Sequence, residues 1–272
     1  MSLPDSDKVF AGSVPQLYDE YFVPLIFDPY AIDISARAAA LRPARVLEIA
    51  AGTGAVTRHL ADDLPEGSTI VATDLNPGMI ARAREVGTAR PVEWQTADAM
   101  KLPFDDASFD AVVCQFGVMF FPDRAAAFAE ARRVLRPGGT FLFNAWDRIE
   151  ENEIADVVTA TLATVFPADP PRFMARTPHG YHDKAAIVRD VAGGGFASAP
   201  EIETLAKRSR APTARHAAIA YCQGTPLRNE IEARDAARLG EATDLCAEAI
   251  AQRFGRGPVD AKISAHVVVV AR

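Results

Sequence analysis

The chain has 272 residues, of which 49% are apolar and 24% are charged, and it carries a net charge of −7. This is enough for one large α/β domain or for a core domain with an inserted cap, and the lack of like-charged blocks argues against nucleic-acid binding through the whole surface. Neither the N-terminus nor the longest apolar run, VVVVA, predicts a signal peptide or a membrane span, and three scattered cysteines predict no disulfide framework or zinc site, so we expect a cytoplasmic protein without a metal.

Residues 43–147 alternate short apolar strands with helical segments. Five strands are predicted, in RVLEIA, TIVATDL, VEWQTAD, FDAVVCQFG and TFLFNAW, the last of them after a turn at Gly138-Gly139. Continuous apolar strands separated by helices predict a parallel sheet covered on both faces. Ligands of such a doubly wound fold bind at the carboxyl ends of the strands.

The pattern changes after Trp146. Helical spacing over ENEIADVVTATLATVF is followed by a proline-rich loop, a further helix, the strand EIETLAKRS, a mostly helical stretch at 212–254 and the closing strand ISAHVVVVA. We predict four regions: an N-terminal helical segment over the cofactor, a cofactor-binding core, a helical cap with one returning strand that binds the acceptor, and a terminal strand that rejoins the core sheet. Their bounds are 1–40, 41–150, 151–255 and 256–272.

The turn after the first predicted strand holds glycines with an unusual spacing. Gly52 and Gly54 flank Thr53, so the backbone can turn sharply and approach a ligand. A dinucleotide-binding loop would carry a third glycine at the position of Thr57, and the first glycine expected in an acidic-x-Gly-x-Gly-x-Gly pattern is replaced by Ala50. The loop alone is therefore a weak signal for a nucleotide.

Two acidic residues strengthen the prediction of a cofactor site at this loop. Asp74 ends the second predicted strand and Asp98 ends the third. A carboxylate in the first position accepts hydrogen bonds from ribose hydroxyls, and one in the second can meet an adenine amino group. Uncompensated carboxylates, with no lysine or arginine in the loop, suit a positively charged adenosine cofactor better than a pyrophosphate.

On these residues the chain resembles the class I S-adenosylmethionine-dependent methyltransferases, of the small-molecule type related to the ubiquinone and menaquinone biosynthesis enzymes (methyltransferase type 11). The resemblance lies in four segments in the family's order, VLEIAAGTG, VATDLNPGMIARARE, TADAMKLPFDDASFDAVVCQFGVMFF and EARRVLRPGGTFLFNAWD. It implies a Rossmann-like, mostly parallel sheet with an antiparallel terminal strand, and S-adenosylmethionine as the cofactor. Alanine at position 50 departs from the family's first motif glycine.

The resemblance also implies roles for individual residues. Glu48 meets the methionine amino group, Asp74 holds the ribose hydroxyls, and Asp98 reads the adenine edge. The other cofactor-binding residues implied are Ala50, Gly52, Gly54, Leu75, Met79, Ala99, Gln115 and Phe116, with Tyr18 and Tyr21 from the N-terminal segment.

The acceptor site and a catalytic base are less clearly marked. Phe116, Met119 and Phe120 can be buried strand-end residues or walls of an apolar acceptor pocket. His179, Tyr181 and His182 are candidates for a general base, although PHGYHD equally reads as a turn before a helix. Such enzymes act by aligning the nucleophile with the methyl group, so a fixed base is not required.

The function predicted from the sequence is therefore methyl transfer to oxygen, carbon or nitrogen of a small molecule. The alternatives are a nicotinamide-dependent oxidoreductase, disfavoured by the missing third glycine and the second acid, and a non-catalytic cofactor-binding regulator. No nucleic-acid partner is expected, and the oligomeric state stays open, with a homodimer among the options.

Overall fold

The computed structural model describes Asp7 and residues 12–272. Its strands are β1 Arg45–Ile49, β2 Thr69–Asp74, β3 Glu93–Thr96, β4 Phe109–Gln115, β5 Leu135–Trp146, β6 Glu201–Ala211 and β7 Val259–Ala271. Its α-helices are α1 Val14–Leu17, α2 Asp28–Ala40, α3 Ala55–Asp63, α4 Pro77–Val86, α5 Arg124–Val134, α6 Glu153–Val165, α7 Phe173–Arg176, α8 Lys184–Gly193, α9 Ala214–Gln223, α10 Leu227–Asp235 and α11 Leu239–Phe254. A π-helical segment, Tyr18–Phe27, joins α1 to α2.

The strands form one seven-stranded sheet in the order β3-β2-β1-β4-β5-β7-β6. The first five strands pair in parallel. β7 runs antiparallel to β5, because the Arg272 N–H donates to the Gly139 carbonyl (2.8 Å) while the Asp147 N–H donates to that of Ser264 (3.1 Å). The doubly wound fold and its antiparallel terminal strand are thereby confirmed.

Two compact units are built from this chain. The sheet unit comprises Tyr30–Ala145, Tyr181–Leu205 and Ala265–Arg272; the helical unit comprises the described residues through Pro29, Trp146–Gly180 and Ala206–Ser264. The core of the sheet unit includes Ile34 of α2, Leu60 of α3 and Leu142 of β5.

The helical unit has its own core, formed where α11 packs on α6 and α9. The segment predicted as a single cap, 151–255, is thus divided between the two units. Its helix α8 belongs to the sheet unit, where Gly194, just after that helix, lies so close to α5 that a Cβ would be 2.6 Å from Cβ of Phe128.

The Gly138-Gly139 pair differs from its prediction. It lies inside β5 rather than before it, at a register shift between the pairs Phe109↔Leu135 and Ala111↔Thr140. Four residues of β5, 136–139, lie against the single residue Asp110 of β4 there, and Gly138 has a φ of +79°, which glycine adopts without strain. The glycine pair therefore bends a continuous strand.

The predicted N-terminal helical segment is helical from Val14 to Ala40, and residues 1–6 and 8–11 lie outside the described residues. Pro24 lies within the π-helical part and cannot donate the hydrogen bond of a regular α-helix. Single π-turns recur at functional sites, but a ten-residue π-helix is unusual.

Candidate functional site

The carboxyl end of β1 leads into a tight loop before α3. Ala50, Gly52 and Gly54 all have positive φ, at +55°, +58° and +84°. A Cβ on Gly54 would lie 2.9 Å from Trp94 Cη2, whereas a Cβ on Gly52 would meet no atom of the described residues within 4 Å. Gly54 is thus needed for packing as well as for its backbone, and Gly52 presents an open side to a ligand. Ala50 holds a conformation that costs an L-residue about 1–2 kcal/mol.

Asp74 ties this loop to the end of β2. Its Oδ2 accepts the Gly52 N–H at 2.8 Å and its Oδ1 accepts the Asn76 N–H at 2.7 Å. Burial raises the pKa of Asp74, while the two N–H groups favour its charged form. An ionised carboxylate offers about four lone-pair positions, so it can accept ribose hydroxyls in addition to these two bonds.

Glu48 lies on β1 and is 1% exposed. Its Oε2 accepts the Thr57 hydroxyl at 2.6 Å, from the first turn of α3. Burial raises the pKa of Glu48 to about 8, because the charged form has lost its hydration. A positively charged ligand beside this carboxyl would stabilise its charged form and release a proton.

This raised pKa predicts how stability depends on pH. In the unfolded chain Glu48 ionises near its ordinary value of 4.5, whereas the folded protein holds the proton up to about pH 8. Glu48 therefore contributes fully to the free energy of unfolding below pH 4.5, and this contribution is lost as pH rises toward 8. At about 1.36 kcal/mol per pKa unit, the loss is on the order of 5 kcal/mol. Urea unfolding between pH 5 and 8 should therefore show a steeper decline for the wild type than for Glu48→Gln. Equal slopes for the two proteins would contradict the assignment.

The segment after β4 packs directly on the loop. Phe116 has a φ of +52°, rare for a bulky residue, and its ring meets that of Tyr30 edge to face at 5.4 Å. A Cβ on Gly117 would lie 2.5 Å from the Ala50 Cβ and 2.8 Å from the Cys114 Sγ. The ends of β1 and β4 can approach this closely only because position 117 is glycine.

We expect Gly117→Ala to destabilise the sheet unit by about 1–3 kcal/mol, the range for forcing a methyl group into a packed site. Gly240→Ala is the matched control, since Gly240 lies in α11 and a Cβ there meets no atom within 4 Å. The control should stabilise the protein by about 0.5–1 kcal/mol through helix propensity. Urea denaturation measures both, and a Gly117→Ala protein as stable as the control would refute the contact.

Other predicted cofactor residues lie at the same edge of the sheet. Leu75 is 57% exposed beside Asp74, and Met79 is buried in α4. Asp98 lies two residues beyond β3, where its Oδ1 accepts the Met100 N–H at 2.9 Å, and Ala99 beside it is buried. The structure brings all four to the carboxyl ends of β2 and β3, and their roles stay predictions.

Tyr18 and Tyr21 lie in the helical unit. The Tyr18 ring packs on Phe22 and Phe27, with centroid distances of 5.7 and 5.1 Å. The Tyr21 ring packs on His216 at 4.6 Å. Both rings thus have aromatic packing partners inside the helical unit. Their contact with the cofactor stays a prediction.

The three candidates for a base have separate environments. His179 is buried and its Nδ1 donates to the Asp147 carbonyl at 2.9 Å. The Tyr181 hydroxyl donates to Asp190 at 2.8 Å, and burial and that carboxylate raise its pKa. The His182 carbonyl accepts the His266 Nε2–H at 2.9 Å. The Tyr181 hydroxyl therefore keeps its proton. A role as general base stays a prediction for Tyr181 and for both histidines.

The predicted acceptor walls lie just beyond β4. Met119 is fully buried and Phe120 half-buried, both in the 3₁₀ turn Val118–Phe120. The Arg124 guanidinium donates to the Val118 and Met119 carbonyls at 3.2 Å, which fixes this turn. Their role in holding an acceptor stays a prediction.

Two residues of this region have buried polar side chains for which the described part of the chain offers no hydrogen bond. The Thr53 hydroxyl, in the glycine loop, and the Asn144 amide, near the end of β5, are buried without hydrogen-bond partners among the described residues. The Thr53 hydroxyl follows Gly52 directly in the loop, and the Asp74 carboxylate accepts the Gly52 N–H. A buried hydroxyl without a partner at this position fits a loop that binds a polar cofactor. Sequence reasoning missed Asn144, although a lone amide in the apolar run FLFNAW was a visible signal.

No helix in the part of the chain that the structure describes is both long and apolar enough to span a membrane. Within the same residues no cluster of three or more histidine, cysteine or acidic side chains could hold a metal ion.

A family model described as a methyltransferase domain matches residues 47–143. The chain is 32% identical over 166 residues to the demethylmenaquinone methyltransferase of Mycolicibacterium gilvum, which covers 57% of this chain and 70% of that enzyme. It is 34% identical over 173 residues to an uncharacterized Mycobacterium tuberculosis protein, covering 63% of this chain and 60% of that one. The alignments thus span less than two thirds of several relatives.

Solved structures share the fold over most of the chain. A candidate methyltransferase from Bacillus halodurans superposes with a TM-score of 0.57 at 20% identity, over 88% of this chain and 97% of that one. At such identity the likeness concerns the fold alone. The demethylmenaquinone methyltransferase relative from Mycolicibacterium gilvum and the matching domain model show that the chain belongs to the class I S-adenosylmethionine-dependent methyltransferase family.

Proposed function

We propose that the protein transfers the methyl group of S-adenosylmethionine to a small-molecule acceptor. The observation that carries this proposal is the glycine loop, where the Asp74 carboxylate accepts the Gly52 N–H. Among the described residues, nothing fills the space beside Gly52 and the Thr53 hydroxyl has no hydrogen-bond partner. One cation, the Arg58 guanidinium, binds the Thr53 carbonyl of the loop at 2.8 Å, whereas two carboxyl groups, those of Glu48 and Asp74, lie at the ends of β1 and β2. This excess of acidic groups suits a cationic adenosine cofactor. When bound, S-adenosylmethionine supplies an activated methyl group on a sulfonium.

Different residues of the sheet unit would bind different parts of the cofactor. Asp74 accepts the ribose hydroxyls, Leu75 and Met79 pack on the adenine, and Asp98 with the Ala99 backbone binds the adenine edge. The Glu48 carboxyl, once ionised, pairs with the methionine ammonium group. With the cofactor held by these residues, the ends of β4 and β5 would be left for the acceptor.

The catalytic contribution of the protein is then alignment and exclusion of water. Holding two reactants in line can supply up to about 7–11 kcal/mol of the barrier reduction in favourable cases. Phe116, Met119 and Phe120 would border the acceptor and keep water from the reacting atoms. The acceptor loses one proton for each methyl group gained, and S-adenosylhomocysteine leaves. This proton can pass to bulk solvent before the acceptor is enclosed or after the product is released, so the scheme does not require His179, Tyr181 or His182 to carry it.

Relatives named demethylmenaquinone methyltransferase suggest which acceptors to try first. A quinol ring is electron-rich and can act as a nucleophile, whereas the oxidised quinone is electrophilic. We therefore propose reduced 1,4-naphthoquinones as the first acceptors, with phenols and amines beside them so that carbon, oxygen and nitrogen acceptors are all represented.

The test has two stages. Calorimetry with S-adenosylhomocysteine and with NADH shows which cofactor binds, and tight NADH binding alone would favour an oxidoreductase and refute the proposal. Incubation with methyl-labelled S-adenosylmethionine and the acceptors, followed by mass spectrometry of the products, then detects transfer. Binding without turnover across the acceptors would favour a non-catalytic regulator.

A further inference from the structure

The Asn144 side chain is a buried polar group that the fold leaves unused. It is 0% exposed, and neither its Nδ2 nor its Oδ1 has a hydrogen-bond partner among the described residues. Asn152, 1% exposed, is the opposite case: its Nδ2 donates to the Arg148 and Ser264 carbonyls and its Oδ1 accepts the Ser264 N–H at 3.1 Å. Because an unmet buried amide is destabilising, its presence at a strand end indicates a partner that comes from outside the fold.

The register of the sheet gives the position of this amide. Asn144 on β5 pairs with Gln115, the last residue of β4, and Leu142 pairs with Val113. Side chains alternate along a strand, so Asn144 is on the face of Leu142, while Phe143 turns to the other face and packs on Phe128 of α5. Asn144 and Gln115 are therefore neighbours on one face, at the carboxyl edge where ligands bind.

Asn144 is too far along the sheet to bind the cofactor's ribose. Three strand intervals separate β2, which carries Asp74, from β5, a distance of about 14 Å. In S-adenosylmethionine one methylene joins the ribose ring to the sulfonium, and the assignment of Glu48 directs the methionine chain toward β1. With S-adenosylmethionine held by Asp74 on β2 and Glu48 on β1, Asn144 would lie two strands beyond Glu48, on the side left for the acceptor.

We propose that the Asn144 amide binds the methyl acceptor directly. Its Nδ2 donates to an acceptor oxygen and its Oδ1 accepts an O–H of the same molecule. The pair favours acceptors that offer a donor and an acceptor side by side, such as a hydroxyl next to a carbonyl or to a second hydroxyl. A plain 1,4-quinol, whose hydroxyls lie across the ring from each other, would use only one of the two polar atoms. This inference rests on the proposed methyl transfer and adds to it the residue that selects the acceptor.

Binding requires the covering side chains to move, since the amide is fully buried. Phe116 is the neighbour held in a strained conformation, with a φ of +52°, and its N–H donates to the Asn144 carbonyl at a long 3.3 Å. Release of that strain would offset part of the rearrangement when the acceptor enters.

The experiment uses Asn144→Leu, which keeps the approximate size and removes both polar atoms, and Asn144→Ala in case leucine overfills the site. The probes are 2,3-dihydroxynaphthalene and catechol, which have adjacent hydroxyls that stay protonated at neutral pH, and 2-methylnaphthalene, which has none. Calorimetry measures their affinity for the protein loaded with S-adenosylhomocysteine. We expect both variants to bind at least one of the oxygen-bearing probes about tenfold more weakly than the wild type, and to bind 2-methylnaphthalene and S-adenosylhomocysteine unchanged.

A merely structural role for Asn144 predicts a different result. Asn152→Leu is the matched control, and it should lower Tm sharply without changing the preference for oxygen-bearing probes, whereas Asn144→Leu should leave Tm equal or higher. Unchanged probe affinity in both Asn144 variants, or failure of both oxygen-bearing probes to bind the wild type, overturns this inference alone. Failure of the wild type to bind S-adenosylhomocysteine overturns the proposed function and this inference with it.

Discussion

Asp74→Ala is expected to weaken binding of S-adenosylhomocysteine by well over tenfold. The carboxylate both fixes the glycine loop, through the Gly52 N–H at 2.8 Å, and would accept two ribose hydroxyls. Hydrogen bonds to a charged group are each worth about 1.5–3 kcal/mol, so loss of the ribose pair alone exceeds a factor of ten. Isothermal titration calorimetry measures the change directly.

Two further variants separate the contributions of Asp74. Asp74→Asn keeps one oxygen for the loop and should bind S-adenosylhomocysteine with intermediate affinity. Asp62→Ala, which removes an exposed carboxylate in α3, should bind as the wild type does. An unchanged dissociation constant in Asp74→Ala would remove this residue from the cofactor site.

Gly52→Val is expected to abolish cofactor binding and to destabilise the fold. A β-branched residue at a φ of +58° costs about 1–2 kcal/mol, and its side chain would fill the open side of the loop. We expect no S-adenosylhomocysteine binding detectable by calorimetry, together with a lowered midpoint in urea denaturation.

Gly67→Val provides the control. Gly67 also has a positive φ, +89°, with no atom within 4 Å of a Cβ, but it precedes β2 at the opposite edge of the sheet. The Gly67→Val protein should lose about as much stability as the Gly52→Val protein and keep its affinity for S-adenosylhomocysteine. Should both variants bind equally well, the loop at Gly52 serves the fold and not the cofactor.

The sheet was predictable from the sequence because its signals are local. Apolar runs such as RVLEIA are separated by helical segments, and Asn76 with Pro77 starts α4 as its capping pattern indicates. Strand ends follow from these runs, so Gly52, Asp74 and Asp98 could be brought to one edge without a structure.

Other features depend on contacts between distant parts of the chain. Gly138-Gly139 has the composition of a turn, and only pairing with β4 shows that it lies at a register shift inside a strand. Likewise, no local pattern shows that α8 groups with α5 rather than with the helices around it in sequence. Asn144 shows the same difficulty, since whether a buried amide has a partner is decided by its neighbours in space.

The division into units has a consequence for any attempt to dissect the protein. Each unit is assembled from three separate stretches of chain, and β5, β6 and β7 each contribute residues to both. A truncated fragment such as 41–150 would lack β6 and β7, leaving an edge of β5 with unpaired backbone groups and a tendency to aggregate. Folding must likewise wait for contacts between the chain's ends and its middle, which predicts slow folding for its size.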